Sequence, residues 1–288
     1  MTEASIFPEQ ARVLEHHALA DHQYIIRLHV PNCATHVLPG NFIHLSCDQN
    51  PYALKRPFSV LRCDAVQGWI EVLYKTVGEG TRNLSLAKIG DQLACLGPIG
   101  NNFELSDNKT LPLLLGGGVG IPPIVFFAEH LKAHTDISPL VMMGSEIAFP
   151  FIVETSRQSL AGVPEQSNAV MQSLQAQNIQ SRLCSKQGYE GFFDGYINEL
   201  AECWLSELDD KQLNGVEIFA CGPEPMLKAV AALAKKYQLA CQLSLEEHMA
   251  CAVGGCAGCT VKITDTHGQA QMKRVCVDGP VFDAYSVY

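Results

Sequence analysis

Cys251, Cys256, Cys259 and Cys276 stand as C-x4-C-x2-C-x16-C toward the end of the chain, with Gly254, Gly255 and Gly258 between the first three. Thiolates at such short spacings can converge on one small ion or cluster, because glycine lets the backbone fold around it without Cβ clashes. The same loop supplies unhindered N–H groups that can point at bridging sulfides. Eight further cysteines, at positions 33, 47, 63, 95, 184, 203, 221 and 241, are scattered singly through apolar or mixed segments and read as small buried hydrophobes.

The first two intervals are those of the plant-type [2Fe–2S] pattern, with the fourth thiol supplied by a later segment. Tetrahedral zinc would accept the same four ligands. Zinc leaves the redox-type motifs upstream unexplained, so a [2Fe–2S] cluster on these four cysteines is the preferred reading.

Two of those motifs lie in the first third of the chain. Arg56, Pro57, Phe58 and Ser59 open one strand-like run, and Lys75, Thr76, Val77, Gly78, Glu79, Gly80 and Thr81 follow another. A fixed proline beside an arginine and a small hydroxyl can present a cation and a hydrogen-bonding group to a flavin and its diphosphate. Gly78 and Gly80 let a turn and helix start approach the phosphates. Taken alone, an R-P-x-S stretch is more often simply the beginning of a strand.

The other two lie further on. Gly116, Gly117, Gly118 and Gly120 follow the apolar run 111–115 and precede Pro122 and Pro123, where a buried strand would meet a helix and a nucleotide could approach backbone N–H groups. The full G-x-G-x-x-G fingerprint is not present, and a tight structural turn is the alternative. Cys221, Gly222 and Pro223, with Met226 beyond, repeat the strand-to-helix pattern. After the strand-like run ending at Met143, Glu146 is the one charged residue through position 150, where a carboxylate would bond ribose hydroxyls and repel a 2′-phosphate. A solvated loop acid is the competing reading.

The elements that must hold these residues change character along the chain. Runs 24–30, 41–46, 69–74 and 92–96 alternate apolar and polar residues and are separated by Gly- and Pro-containing turns, as in an antiparallel barrel. From Leu111 the strands become continuously apolar (111–115, 140–143 and 216–220) and alternate with helical stretches reaching about Ala133 and Tyr237, the pattern of a parallel α/β sheet. The expected divisions are 1–106, 107–238 and 239–288; resemblance to the ferredoxin–NADP reductase superfamily implies that they are a FAD-binding β-barrel, a NAD-binding α/β domain and a small [2Fe–2S] domain. The polar, Gln- and Ser-rich stretch 157–177 reads as a loop insertion or an extra helix.

Thirty acidic against twenty basic residues in 288 give a formal charge of -10, the wrong sign for gripping a polyphosphate, so nucleic-acid binding is not expected. No apolar run is long enough to span a bilayer, and the first residues lack the basic start of a signal peptide. A cytoplasmic protein without membrane attachment is the expectation.

In the order R-P-x-S, G-x-G-T, G-G-G-x-G-x-P-P and C-G-P-x-x-M, the sequence resembles the ferredoxin–NADP reductase superfamily. With the terminal cysteines it is similar to the iron–sulfur branch that contains the electron-transfer subunits of heteromeric, NAD-linked dihydroorotate dehydrogenases; the stretches 247–251 and 276–283 are particularly similar. The resemblance covers nearly the whole chain, and the 157–177 stretch departs from it. It implies an FMN-containing dihydroorotate dehydrogenase subunit as catalytic partner in a heterotetramer. Electrons would leave that FMN, cross the cluster, collect on FAD and depart to NAD+, serving pyrimidine biosynthesis. Residue by residue, it implies flavin contacts at Arg56, Pro57, Phe58 and Ser59. Lys75, Val77, Gly80 and Thr81 fall to the ribityl-diphosphate or adenine end, and Gly116–Gly120 with Cys221–Pro223 border the nicotinamide. No substrate-specific acid or base is expected in this chain. The small subunits of NAD(P)-linked ferredoxin oxidoreductases and sulfide dehydrogenases share almost all these motifs. A redox-sensing regulator using the same cofactors is the alternative of a different class.

Overall fold

The computed structural model describes residues 6–48, 54–265 and 267–288. They form two compact units, 1–102 with 245–281 and 103–244 with 282–288. The stretch 239–288 is thus shared: its cysteine-bearing part folds with the N-terminal strands and its two ends with the second unit.

The first unit begins with β1 (Phe7–Ala18), β2 (Gln23–His29), α1 (Pro31–His36), β3 (Phe42–Leu45), β4 (Arg56–Ser59), β5 (Arg62–Asp64), β6 (Trp69–Lys75), α2 (Glu79–Leu84) and β7 (Gln92–Ile99). Its strands make an antiparallel sheet in the order β4-β3-β7-β1-β2-β6-β5. Alternate residues Ala11 and Val13, Ile26 and Leu28, and Ile70 and Val72 are buried, the period of two that puts one face of each strand into the core. Strand β1 was not expected at this length. Its polar run, with Glu9, Gln10, Glu15, His16 and His17, masks the alternation, yet it pairs with both β2 and β7.

The second unit contains β8 (Leu111–Gly117), α3 (Ile121–Leu131), β9 (Leu140–Gly144), β10 (Val153–Thr155), β11 (Ala169–Met171), α4 (Gln172–Ala176), β12 (Gln180–Cys184), α5 (Ile197–Leu205), α6 (Asp210–Gly215), β13 (Val216–Cys221), α7 (Glu224–Tyr237) and β14 (Cys241–Ser244). The chain then enters the cysteine segment with β15 (Thr260–Thr264), β16 (Ala270–Arg274) and α8 (Val275–Asp278), and closes with β17 (Val281–Asp283) and α9 (Ala284–Val287). The main sheet runs β12-β9-β8-β13-β14-β17, with parallel pairing from β12 through β14. Leu113, Leu114 and Leu115 are all fully buried, as a central strand covered on both faces requires. Helix α7 presents Leu227, Val230, Leu233 and Ala234 to the core and carries Lys235 and Lys236 at its C-terminal end, where cations suit the helix dipole.

The polar stretch after position 156 is neither a plain loop nor one helix. Strands β10 and β11 pair antiparallel around the 156–168 loop, and α4 leads from them into β12.

Six of the eight scattered cysteines are buried, and Cys63 and Cys203 are half-buried. Burial pushes the thiols of Cys95 and Cys184 up to about 12, which keeps them protonated and inert.

Candidate functional site

Three groups of sequence-selected residues are assembled. In the barrel, β4 places Arg56 where its side chain lies over the α2 turn: a Cβ added at Gly80 would stand 3.4 Å from Arg56 Nε. The R-P-x-S and G-x-G-T motifs therefore meet. Arg56 Nη1 donates to the carbonyls of Leu54 at 2.8 Å and Lys55 at 3.2 Å. The Thr81 hydroxyl accepts from the N–H groups of Val77 (2.9 Å) and Gly78 (3.2 Å). Thr81 thus shapes the turn at the start of α2. Phe58 packs edge-on to Tyr74 at 5.8 Å, Tyr74 stacks on Tyr24 at 5.3 Å, and the Tyr74 hydroxyl meets His16 Nε2 at 2.9 Å. Lys75 is half-buried at the end of β6 and Val77 is exposed. Pro57 pairs with His44 on β3, a buried histidine whose Nε2 has no partner among the described residues. Burial and the charges of Lys55 and Arg56 hold His44 below its ordinary pKa, so it is neutral.

In the second unit, β8 and β13 are neighbours in the middle of the sheet, where the strand order reverses. The crevice beyond the carboxyl ends of such strands is where open α/β sheets bind ligands. The two glycine turns sit there and need glycine for one another: Gly120 leaves no room for a Cβ beside the Cys221 carbonyl, and a Cβ on Gly222 would come within 2.6 Å of Met226 Sδ. Gly116 is closed off by Ile121 and Gly117 by Met226 and Pro223. Gly118 differs, with φ +53 and no neighbour within 4 Å of where a Cβ would stand, so it alone of this run faces open space. Helix α3 offers little to an anion directly, because Ile121 N–H is bonded to Gly118 O and Pro122 and Pro123 carry none. Cys221 is buried. Glu146 is exposed past the end of β9. The exit of β12 lies beside that of β9, with Ser145 N–H donating to Cys184 O at 3.3 Å, and two residues beyond Cys184 is Lys186, stacked 4.7 Å over the Tyr196 ring. Lys186 was missed because only the fold brings the two strand ends together.

The third group is the thiol loop. Cys259 and Cys276 are buried with their sulfurs 3.3 Å apart, while Cys251 and Cys256 are more exposed and within hydrogen-bonding reach of each other. Among the described residues no three His, Cys, Asp or Glu side chains gather about a single point. Two pairs are the donor set of a cluster with two thiolates on each iron, whereas one zinc requires all four at one centre. The residues present therefore fit a [2Fe–2S] group. Ala252 (φ 56) and Ala257 (φ 53) are both left-handed. Each curls the chain so that backbone N–H groups turn back onto a sulfur: Gly258 N donates to Cys256 Sγ and Cys256 N to Cys251 Sγ, both at 3.4 Å. The N–H groups of Val253 and Cys256 bring the Cys251 thiol down to about 7, while burial raises Cys276 to about 11.

Gly254 must also be glycine, since its φ is +78 and a Cβ would stand 2.7 Å from Val277. Arg274 braces the loop by donating from Nη1 to Gly254 O at 3.1 Å. Along the apolar segment flanking the loop, Val275, Val281 and Phe282 are buried in the protein's own core, whereas Val277 (48% exposed) and Val253 (51%) remain open.

The segment is tied to the barrel through residues that sequence reasoning passed over. Asn101 N donates to Gly279 O at 2.7 Å, Leu245 N to Pro280 O at 2.9 Å, and Asn41 Nδ2 to Gly100 O at 2.8 Å. Gly100 has φ +84, and a Cβ there would collide with Pro280. Its signal in the sequence is the Gly-Pro-Ile-Gly-Asn stretch 97–101, readable as a turn and not as an anchor.

An antiparallel barrel, a parallel nucleotide-type sheet and a paired-thiol loop together define an iron–sulfur flavoprotein reductase of the ferredoxin–NADP reductase fold. Residues 10–103 match the family profile described as oxidoreductase FAD-binding domain. Residues 246–288 match the iron-sulfur cluster binding domain of dihydroorotate dehydrogenase B. The dihydroorotate dehydrogenase B (NAD(+)) electron transfer subunit of Caldanaerobacter subterraneus subsp. tengcongensis is 35% identical over 279 residues, 96% of this chain and 97% of the relative. That of Geobacillus sp. strain WCH70 is 30% identical over 284 residues, covering 97% and 98%. The chain belongs to the family of dihydroorotate dehydrogenase B (NAD(+)) electron transfer subunits. In fold it is similar to the solved NADH-dependent reduced ferredoxin-NADP oxidoreductase, with a TM-score of 0.78 at 23% identity over 97% of this chain and 90% of that one. No described helix is long and apolar enough to cross a membrane.

Proposed function

We propose that this chain links a catalytic, FMN-containing dihydroorotate dehydrogenase subunit to NAD+ in a cytoplasmic heterotetramer that serves pyrimidine biosynthesis. When bound, the cluster passes single electrons and FAD gathers them into pairs for hydride transfer. The protein's part is position and environment. Arg56, Pro57, Phe58 and Ser59 hold and orient the flavin. Lys75, Val77, Gly78, Gly80 and Thr81 shape the turn at its diphosphate end. Gly116–Gly120 and Cys221–Pro223 border the nicotinamide, with Gly118 as the point of closest approach. Glu146 takes the ribose hydroxyls, and Cys251, Cys256, Cys259 and Cys276 ligate the cluster. By cofactor, the chain divides at about 106 and 238 into FAD, NAD and cluster parts.

The observation that carries this reading is that the paired-thiol loop folds into the same compact unit as the Arg56–Gly80 contact, so a one-electron carrier and a flavin site share one scaffold. Val253, Val277 and the exposed Cys256 leave one face of the loop uncovered, where a second redox subunit would dock. The isolated, fully loaded chain should oxidise NADH with artificial acceptors and leave dihydroorotate untouched. Adding the partner subunit should confer NAD-dependent dihydroorotate oxidation at a heterotetrameric mass. Failure of that reconstitution, or productive coupling to a ferredoxin or sulfide partner instead, would overturn the assignment.

A further inference from the structure

Arg182 lies in the edge strand β12 and is 4% exposed. Its Nη1 donates to Ser181 O at 2.7 Å and its Nη2 to Gln158 O at 2.6 Å. Nε is buried and has no partner among the described residues. No carboxylate pairs with it among the described residues, and burial alone lowers its pKa. A guanidinium does not escape this by losing its proton, so the fold holds a cation in a dry place with part of its donor fork unused. Natural proteins seldom leave that arrangement without a purpose.

The same side chain lines a cavity of about 230 Å³ formed by the 156–168 loop. The other lining residues include Ser156, Ser159, Ser167, Asn168 and a second cation, the exposed Arg157, against one acid, the exposed Glu165. Ser167 is itself buried, at 5% exposure. The loop is held in shape by its own bonds: Ser156 N donates to Asn168 O at 2.7 Å, Ser167 N to Pro164 O at 2.8 Å and Gln180 Nε2 to Gln158 Oε1 at 2.6 Å. The cavity, half open to solvent, therefore presents two cations and several neutral polar side chains, more than the two oxygens of a carboxylate can use and suited to a tetrahedral oxyanion.

We propose that the cavity under the 156–168 loop is a binding site for a phosphoryl group, free or carried on a small metabolite, with Arg182 as its buried anchor. The site stands on the outer edge strand of the sheet, away from β8 and β13 in strand order, so it is separate from the nucleotide crevice. Its occupant neutralises Arg182 and fastens β10 and β11 to β12.

The test uses the full, flavin- and cluster-loaded chain. Thermal unfolding is followed with inorganic phosphate against sodium chloride at matched ionic strength. The expected result is a saturable rise in Tm of about 5 °C at phosphate well above Kd. Arg182→Met should keep NADH–dye turnover, match or exceed the native Tm without phosphate, and lose the phosphate-dependent rise. Any general salting effect of phosphate would remain in the variant. Glycerol 3-phosphate distinguishes the two sources: a rise at lower concentration than phosphate indicates an ester, and the reverse indicates the free anion. A native protein indifferent to both, an Arg182→Met variant that responds as the native chain does, or displacement of phosphate by NADH would each overturn the proposal. Should Arg182→Met fail to fold, crystals of the native chain grown with tungstate decide it: anomalous density against the Arg182 side chain supports the site, and its absence there refutes it.

Discussion

Asn101 and Val281, 180 positions apart, exchange two hydrogen bonds: Asn101 Nδ2 donates to Val281 O at 2.8 Å, and Val281 N–H donates to Asn101 Oδ1 at 2.9 Å. The amide side chain behaves as a short piece of strand, pairing with a backbone that has no strand neighbour on that side. Asn101→Ala should leave both buried groups of Val281 unpaired and cost about 1–3 kcal/mol. Gly100→Ala should cost more, because a Cβ in a left-handed residue would also strike Pro280. Chemical denaturation of the two variants, with iron content followed in parallel, checks this. Loss of iron at lower denaturant than loss of flavin would show that the anchor serves the thiol segment first.

The paired thiols set a second expectation. Purified anaerobically, the chain should carry ~2 irons with acid-labile sulfide and give an EPR signal on reduction. Cys259→Ser and Cys276→Ser should each abolish it, since they break the close pair, whereas Cys203→Ser should leave it intact. Stoichiometric zinc without iron would contradict the ligand assignment.

If Arg56 holds the flavin as proposed, replacing it by Ala removes a charge-assisted contact worth about 1.5–3 kcal/mol, and the flavin should be held roughly 10- to 150-fold more weakly. Equilibrium dialysis of FAD against native and variant chains measures it. Unchanged retention would remove Arg56 from the flavin site and leave it a brace for the Gly80 turn.

On the proposed reading, Glu146 and Lys186 would pull coenzyme preference in opposite directions from adjoining strand ends. With Glu146 on the strand nearer the centre of the sheet, NADH should exceed NADPH in kcat/KM. Glu146→Gln should narrow the gap and Lys186→Ala should widen it. Equal or better kcat/KM with NADPH in the native chain would reverse the reading.

His44 gives a pH dependence with a definite sign. Its folded pKa lies below the unfolded value of 6.5, so the unfolded chain binds the proton more readily. Its contribution is complete above about pH 6.5 and is lost as pH falls below that value. Between pH 7.5 and 5.5 the native chain should therefore lose more stability in urea than His44→Gln does. Equal losses would show that His44 is protonated without penalty.

Much of this protein was legible as sequence. The cysteine spacing marked a metal or cluster site and the upstream motifs tipped it toward [2Fe–2S], because ligand spacing is local chemistry that survives without knowing the fold. The alternating runs around Ile26, Leu28, Ile70 and Val72 and the continuous run at Leu113–Leu115 separated barrel from α/β sheet, because periodicity reports which faces are buried. What sequence alone left open were relations between distant residues. It did not pair Cys259 with Cys276, lay Arg56 over Gly80, or close Gly120 against Cys221. Nor did it reveal Asn101 as the tie to Val281, Lys186 as the neighbour of Glu146's strand, or Arg182 as a buried cation. Each depends on which strand ends and turns come side by side, and that is decided by burial summed over whole sheets, a cooperative quantity that no single stretch of residues carries.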